Sequence, residues 1–328
     1  MAFRKVDGKD NVFARIGIFG RAGSGKTRTA TEIATGLCKD SGGAIYMIDT
    51  EGVGSDFAAK YATAAGVEIF AEKTHEFEKL PDIIREACDA KPGCIIVDSI
   101  SHFWDNIQDQ YRRDVGRDGE LQMRDWKAIK DMWRTRFARL FLSVPANIII
   151  CGRESTIYRP QRNNKGKWEQ VAVGTKMKAE SETEYEPSLL IHMFLSDDGV
   201  NRAFVKKDRS GVIQGKYFDY PKYGDFAGHL KWLNPGGTHR AIEESIVSGK
   251  LFSDVDEADK QRAMIISEIR ETLDSIGLSG KSKSVLKAKG DLFEKVFGTR
   301  SSSKIFHEAS NDELIAGIEK IKKEVNDA

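Results

Sequence analysis

Apolar residues along the chain fall into five short runs that are separated by longer amphipathic stretches. The runs, which are rich in β-branched residues, lie at 14–20, 43–50, 94–100, 147–154 and 189–196. Nearly continuous apolar runs of this length are typical of strands that are buried on both faces of a sheet. Between them, apolar residues recur at helical spacing, as in 123–144, which predicts helices that pack on the sheet. The alternation predicts an α/β fold with a mostly parallel central sheet flanked by helices.

The pattern changes in the last third of the chain. Before that point, 67–70 predicts one more strand, and 201–209, which follows a turn, predicts a strand that closes a hairpin. Beyond a Pro-Gly-Gly sequence at 235–237, β-branched runs almost disappear and helical patterns dominate. The sequence therefore predicts a core domain over 1–235 and a small helical domain over 240–328.

Composition narrows the class of protein without identifying it. The 328 residues carry a net charge of +1 and 40% are hydrophobic, so the chain can bury a core and any nucleic-acid surface must be local. No apolar run approaches the roughly 20 residues of a membrane span, and the first residues lack the apolar centre of a secretion signal. We expect a cytoplasmic protein without a membrane partner. The four cysteines form no C-x-x-C pair and predict buried thiols rather than a metal or redox site.

One glycine-rich segment carries the clearest chemistry. The sequence GRAGSGKT at 20–27 matches G-x-x-x-x-G-K-[ST] between a predicted strand and a predicted helix. Its glycines let backbone N–H groups surround phosphate oxygens at a helix N-terminus. Lys26 is expected to reach the β- and γ-phosphates, and the Thr27 hydroxyl to bind Mg²⁺. The predicted nucleotide-binding residues are Gly20, Arg21, Ala22, Gly23, Ser24, Gly25, Lys26, Thr27 and Arg28.

Two further strand ends carry acidic residues. Asp98 ends the run CIIVD, the Walker B position, and is the predicted second Mg²⁺ ligand. Asp49 and Glu51 lie in MIDTEG, where a carboxylate can orient and deprotonate the water that attacks the γ-phosphate. The spacing does not choose between Asp49 and Glu51.

Together, these segments resemble the RecA/RadA-like P-loop ATPases over about residues 12–225, and most of all those that bacteriophages encode for single-strand annealing and recombination. The tract 174–193 adds to this likeness. The resemblance implies ATP and Mg²⁺ as ligands, Glu51 as the catalytic base, and a fourth strand between the two Walker strands. That strand ends in a γ-phosphate sensor, commonly Gln, where this chain has Arg153. Arg153 either senses phosphate or pairs with Glu154 or Glu51.

A basic pair near residue 208 resembles the pair with which RecA and DnaB-type helicases reach the ATP of the neighbouring subunit. Lys207 and Arg209 have the K-x-R spacing of that pair. A cation supplied from the neighbour offsets the charge that develops during phosphoryl transfer. The resemblance therefore implies a homo-oligomer, a ring or filament with head-to-tail contacts. The alternative is an exposed basic hairpin.

Two segments correspond to the DNA-binding loops of RecA-like proteins. These segments, 110–124 and 155–178, are basic, and aromatic residues interleave in the second. Basic side chains release counterions from phosphates, and aromatic rings stack on unpaired bases. We expect contacts with single-stranded DNA from Arg112, Arg113, Arg117, Tyr158, Arg159, Arg162, Lys165, Lys167 and Trp168. The alternative for the second segment is a solvated hairpin with a basic turn.

The resemblance implies an Mg²⁺-dependent ATP hydrolase that acts on single-stranded DNA in phage-type recombination or annealing, within the host cytoplasm if a phage encodes it. A replicative helicase or helicase loader, and a regulatory nucleotide switch that acts on protein partners, remain as alternatives. The basic stretch 281–304 is either a solvated face or a contact for DNA or a single-strand-binding protein. Tyr217, Tyr220 or Tyr223 either stacks on the base or packs a domain junction.

Overall fold

The computed structural model describes residues 11–116, 120–163, 166–234, 236, 253–278, 280, 282–302, 305–306 and 309–326. The chain divides into two compact units, Met1–Glu243 and Glu244–Ala328. Most of the predicted linker at 235–237 lies outside the described residues. A search of the described helices finds none with the length and apolar character that a membrane crossing requires.

The first unit contains a sheet flanked by helices. Its strands are β1 (Arg15–Gly20), β2 (Ile45–Asp49), β3 (Ile69–Lys73), β4 (Cys94–Asp98), β5 (Ile148–Arg162), β6 (Trp168–Met177), β7 (Leu189–Leu195), β8 (Asn201–Asp208) and β9 (Tyr217–Asp219). Its helices are α1 (Lys26–Ser41), α2 (Gly54–Ala64), α3 (Leu80–Asp89), α4 (Ile100–Asp114), α5 (Met123–Trp133), α6 (Arg139–Ser143) and α7 (Ala227–Leu233).

The order of the strands across the sheet is β3-β2-β4-β5-β1-β7-β8-β9, with β6 paired to β5 outside this row. The pairs from β3 to β7 are parallel, whereas β6, β8 and β9 pair in antiparallel fashion. The predicted mostly parallel sheet flanked by helices is confirmed. Strand β5, which contains the fourth apolar run of the sequence, lies between β1 and β4. It therefore separates the two Walker strands, as the resemblance implied.

Strands β1 and β4 in the middle of the sheet are buried on both faces. Alternate residues of each strand point to opposite faces, and apolar side chains of helices pack against each face. Ile16 and Ile18 of β1 pack with α1, and Phe19 packs with the helices on the other face. The predicted helix over 123–144 is divided, since a π-helical turn, Arg134–Ala138, separates α5 from α6. Trp133, at the end of α5, is almost fully buried.

The described helices of the second unit include α8 (Ser253–Ser275), α9 (Lys283–Phe297) and α10 (Asn311–Asn326). Apolar side chains from all three meet in one core, among them Ile269, Phe293 and Leu314. Helix α10 begins directly after Ser310. The Glu313 N–H donates to Ser310 Oγ, and the Ser310 N–H donates to the Glu313 carboxylate, a reciprocal cap that satisfies two otherwise unpaired donors.

Candidate nucleotide-binding site

The loop between β1 and α1 is shaped for a phosphate. A side chain at Gly20 would place its Cβ 2.0 Å from the Met193 carbonyl oxygen, so backbone alone fits there. Gly25 has a φ of 89°, in the left-handed region that glycine tolerates. No described side chain caps α1, so its first N–H groups are available to an anion.

A buried hydroxyl lies beside this loop. Ser24 is 1% exposed, and its Oγ has no hydrogen-bond partner within the described part of the chain. This Oγ lies next to Gly20 and outside the lining of the cleft. Beside it, Lys26 Nζ donates to the Arg21 carbonyl at 2.9 Å, which lays the ammonium group along the loop.

The loop is braced by a residue that sequence reasoning missed. Asn201, the first residue of β8, donates from Nδ2 to the Gly23 carbonyl at 3.0 Å. The two residues are 178 positions apart, and an asparagine after a turn gave no sign of this contact. It ties the β7–β8 hairpin to the phosphate loop.

The predicted magnesium ligands lie together. Thr27 Oγ1 donates to Asp98 Oδ2 at 2.6 Å, and Asp98 is 7% exposed. Burial raises the pKa of Asp98, against the hydrogen bond from Thr27. Hard oxygen ligands suit Mg²⁺, which is usually held by one or two carboxylates plus substrate phosphates. Thr27 and Asp98 supply two such oxygens, and this donor set fits a magnesium ion that is shared with a nucleotide.

Asp49 and Glu51, the two acids of MIDTEG, differ in burial and in hydrogen bonding. Asp49 is 2% exposed and accepts hydrogen bonds from the N–H groups of Glu51, Gly52 and Ser55 at 2.8–2.9 Å. Burial alone would raise the pKa of Asp49, but the hydrogen bonds, that of Ser55 first, outweigh it and hold the pKa below its ordinary value. Asp49 thus stabilises the turn that carries Glu51, because both of its carboxylate oxygens accept hydrogen bonds from the backbone of that turn.

Glu51 projects from this turn and is half-exposed. Its Oε1 accepts a hydrogen bond from Arg153 Nη2 at 3.0 Å, so of the alternatives for Arg153, the structure contains the pair with Glu51. A cleft of about 790 Å³ brings both residues together with the phosphate loop, Lys26, Thr27 and Asp98. This volume lies in the range of small-molecule sites.

Glu154 is a second residue of the cleft whose contacts sequence reasoning did not identify. Its side chain is 7% exposed and accepts from Arg21 Nε at 3.2 Å. It is also 2.7 Å from His192 Nε2, and the His192 ring stacks on Phe19. Neighbouring residues of β5 therefore hold the two sides of the cleft, since Arg153 binds Glu51 while Glu154 binds Arg21.

Comparison with known proteins places this cleft in a family. A family model described as "AAA domain" (AAA_24) matches residues 13–216, which include the phosphate loop, Glu51, Asp98 and Arg153. The chain belongs to this AAA domain family. No curated protein sequence matches it. Among solved structures, it is similar to the KaiC-like protein PH0186 of the hyperthermophilic archaeon Pyrococcus horikoshii OT3, with 14% identity over 66% of this chain and 94% of that one and a TM-score of 0.41.

The basic pair of this AAA domain does not reach its own cleft. Lys207 pairs with Leu190, and Leu190 pairs with Gly17, so Lys207 lies three residues back from Gly20, about 10 Å along the strand. Lys207 Nζ and Arg209 Nη2 both donate to the Tyr185 carbonyl, at 2.6 and 3.3 Å. Burial, followed by the nearby Arg209, lowers the pKa of Lys207.

The residue between these two cations anchors the segment. Asp208 is 6% exposed and its Oδ1 lies 2.7 Å from Nδ1 of the fully buried His229. His229 Nε2 lies 3.0 Å from Ser188 Oγ. The order Ser-His-Asp is that of a hydrolase triad, but substrate has no access to a histidine that is 0% exposed. The cluster therefore joins α7 to the ends of β7 and β8.

The first predicted DNA segment differs from expectation. Residues 110–114 of this segment are helical, because α4 continues to Asp114, and α5 begins at Met123. Arg112 lies in its last turn and donates to Asp109 at 2.6 Å, and Arg113 is exposed on the same turn. Arg117 lies outside the described residues.

The second predicted DNA segment is a β-hairpin, the β5–β6 hairpin (residues 155–177). Tyr158 pairs with Ala172, and Arg162 with Trp168. Side chains two apart, or directly opposite each other, share a face, so Tyr158, Arg162 and Trp168 lie on one face and Arg159 on the other. The Arg162 guanidinium lies 5.1 Å from the Trp168 ring centre. Tyr158 and Trp168 are 60% and 66% exposed; Lys167 lies at the turn, and Lys165 is outside the described residues.

The three tyrosines after β8 differ in their surroundings. Tyr223 packs against Gly36 of α1 and donates to Asp40, and burial raises its pKa, so it is a packing residue. Tyr217 packs on Phe204 with ring centres 4.7 Å apart. Tyr220 is half-exposed with a φ of 46°.

Proposed function

We propose that this chain is an Mg²⁺-dependent ATPase that binds single-stranded DNA and acts in phage-type homologous recombination or strand annealing as a ring or filament. One observation carries the proposal. Strand β5 lines the cleft with Arg153 and Glu154 and then continues directly into the β5–β6 hairpin. One strand thus carries both residues that line the cleft and residues of an exposed aromatic, basic surface.

The cleft residues divide the work of hydrolysis. Lys26 and the N–H groups of the phosphate loop bind the phosphates, and Thr27 and Asp98 hold the magnesium ion, which neutralises phosphate charge when bound. Glu51 accepts the proton of the attacking water, a task for a solvent-accessible carboxylate within reach of the γ-phosphate. Asp49 is unsuited to that task because three backbone N–H groups already occupy it.

The hairpin supplies the surface for single-stranded DNA. Tyr158 and Trp168 expose their rings on one face beside Arg162, and such rings stack on bases of any sequence. Within the described residues, most side chains of the hairpin from Tyr158 to Gly174 are exposed. Basic groups at the same place bind the phosphates between the bases.

The position of the basic pair supports an oligomer. Lys207 and Arg209 are cations on one surface of the unit, remote from its own cleft. A neighbouring copy that docks head to tail brings this pair to the cleft of the next subunit, and repetition of such a contact gives a ring or filament. The pair would then stabilise the transferring phosphoryl group.

The test is ATP turnover measured without DNA, with a single-stranded oligonucleotide, and with the same sequence as a duplex. We expect turnover to rise with the single strand and to require Mg²⁺, and a labelled oligonucleotide to bind in the presence of an ATP analogue. GTP in parallel reactions tests the choice of nucleotide. Equal turnover with and without the oligonucleotide, together with no binding, would refute the DNA part of the proposal.

A forked duplex and electron microscopy complete the test. Directional strand separation of the fork would favour a helicase over an annealing or recombination enzyme. Rings or filaments that form with the ATP analogue and oligonucleotide are the expected assemblies. A monomer under all conditions would refute the role of Lys207 and Arg209 in a neighbouring cleft.

A further inference from the structure

A histidine in the helix that follows the Walker B strand makes contacts that have no part in the hydrolysis proposed above. His102 lies in the first turn of α4, where its N–H donates to the Ser99 carbonyl at 3.2 Å. Its ring Nδ1 is 2.6 Å from Thr50 Oγ1. Its Nε2 faces Glu51 Oε1 at 3.9 Å, and the side chain is 21% exposed. The ring thus spans the residue before Glu51 and the carboxylate of Glu51 itself.

The position of the ring is fixed by its partner. The Thr50 N–H donates to the Asp98 carbonyl at 2.8 Å, and Thr50 Oγ1 accepts from the Ser99 N–H at 2.8 Å. These two bonds join the ends of β2 and β4. Because Thr50 is held at both points, the ring that binds its hydroxyl is held as well.

The hydrogen bonds favour one tautomer. Thr50 has a single hydroxyl hydrogen, and the nearer acceptor is His102 Nδ1 at 2.6 Å rather than the Asp98 carbonyl at 3.3 Å. When Nδ1 accepts, the proton of the neutral ring is on Nε2. The Nε2–H then points towards a carboxylate, which accepts hydrogen bonds. The other tautomer would turn a lone pair towards that carboxylate.

Glu51 therefore faces two nitrogen groups on different elements; Arg153 Nη2 is within hydrogen-bond distance, and His102 Nε2, at 3.9 Å, lies just beyond it. Arg153 Nη2 is nearer, at 3.0 Å, but Arg153 also lines the cleft of the phosphate loop. A guanidinium group binds phosphate oxygens strongly, so a bound triphosphate competes with Glu51 for Arg153. His102 is attached to α4 and Thr50 and has no such competitor among its described contacts.

We infer that His102 is a positioning residue, which keeps Glu51 directed into the cleft through its Nε2–H after Arg153 has turned to the nucleotide. This inference rests on the proposed function, because it assigns a task to His102 only if Glu51 is the base. A half-exposed glutamate has several rotamers, and loss of its remaining partner would leave it out of line with the attacking water.

Two amide variants separate the roles of the two ring nitrogens. In His102→Asn the amide reaches the place of Nδ1 and can keep the contact with Thr50. In His102→Gln the amide reaches the place of Nε2 and can donate to Glu51. A purely structural role in joining β2 to α4 would favour the Asn variant, whereas the positioning role favours the Gln variant.

The experiment measures kcat and KM for ATP in wild type, both variants and Glu51→Gln, with the affinity for a fluorescent ATP analogue as a readout that needs no turnover. For His102→Asn we expect kcat to fall about tenfold or more, with KM and affinity within about twofold of wild type. For His102→Gln we expect kcat within about threefold of wild type. Wild-type kcat in the Asn variant, or equal losses in both variants, would overturn the inference.

A spectroscopic measurement keeps this result distinct from failure of the proposed function. Inactive wild type would refute the proposed hydrolysis, but ¹⁵N spectra of the histidine ring still report the tautomer. We expect an Nε2–H tautomer for His102 in wild type, with its population reduced in Thr50→Val, which removes the hydroxyl. A ring protonated on Nδ1 in wild type would overturn the inference whatever the turnover.

Discussion

Strand β5 has two halves that are held in place by different forces. Its first four residues, Ile148 to Cys151, are fully buried between β1 and β4. The second half, residues 155–162, pairs with β6 among the described strands, and its side chains are mostly exposed. Apolar burial fixes the first half, whereas backbone ladder bonds hold the second. A side-chain change should therefore be costly in the first half and tolerated in the second.

The junction of the two halves lies where the cleft meets the β5–β6 hairpin. Arg153 and Glu154, which follow the buried half after Gly152, hold Glu51 and Arg21 on either side of the cleft. The hairpin begins with the next residue. A displacement of the hairpin on binding a strand of DNA would act on these two residues first.

The largest expected effect is in the cleft, where Glu51 contacts Arg153 of β5. Glu51→Gln removes the carboxylate that accepts a proton but keeps the size of the side chain, so we expect ATP turnover to fall by about 10²–10⁴. Nucleotide affinity should persist, which makes ATP-bound assemblies longer-lived. Turnover is measured by phosphate release and affinity by a fluorescent analogue.

The matched control for this variant is Glu72→Gln, which makes the same change on an exposed position of the edge strand β3. Its turnover should equal that of wild type. If Glu51→Gln kept turnover within about threefold of wild type, general-base catalysis by Glu51 would be excluded.

The next largest effect concerns stability at the turn behind Glu51. In Asp49→Asn, the amide group brings N–H donors to a site where three backbone N–H groups already donate. We expect the free energy of unfolding to fall by about 2 kcal/mol, measured by chemical denaturation. Asp56→Asn, the same change on an exposed residue of α2, should alter it by less than about 0.5 kcal/mol.

The pH dependence of this difference has a defined sign. Because the folded pKa of Asp49 lies below its unfolded value, its contribution to stability is fully present above the unfolded pKa of about 4. It is lost as the pH falls through the folded value. Wild type and Asp49→Asn should therefore differ fully at neutral pH and converge below about pH 4. A difference that stayed constant into acid would show that the charge of Asp49 plays no part.

The sequence predicted the residues at strand ends better than the contacts that single side chains make across the fold. The phosphate loop, Asp98 and Glu51 lie at strand ends, and the parallel order of the strands brings strand ends together. Asn201 and His102 were missed because their partners depend on side-chain directions that no local pattern encodes. Residues 110–114 were expected to belong to a DNA-binding loop because the arginines there and Gly116 are typical of one, whereas α4 continues through them with Tyr111 packed on its apolar side.

A smaller effect is expected in the β5–β6 hairpin, whose side chains are mostly exposed. Trp168→Ala removes a ring that is 66% exposed, so stability should stay within about 0.5 kcal/mol of wild type. Affinity for a single-stranded oligonucleotide should fall by about 1–3 kcal/mol, the stacking of one base, as measured by fluorescence anisotropy. Gln161→Ala, on the opposite face of the hairpin, is the control and should bind as wild type does. Equal losses in both variants would mean that the hairpin has no stacking face.

The smallest effect separates charge from stacking on the same face. Arg162 lies over the Trp168 ring, where its guanidinium can serve one phosphate of a strand that stacks on that ring. Arg162→Ala should lower the slope of log affinity against log salt concentration by about 0.7, the value for one phosphate of a single strand. Trp168→Ala should lower affinity without changing the slope, because a ring releases no counterions. If Arg162→Ala left the slope unchanged, its charge would serve the hairpin alone, and the exposed half of β5 would bind DNA by stacking without electrostatic help from this residue.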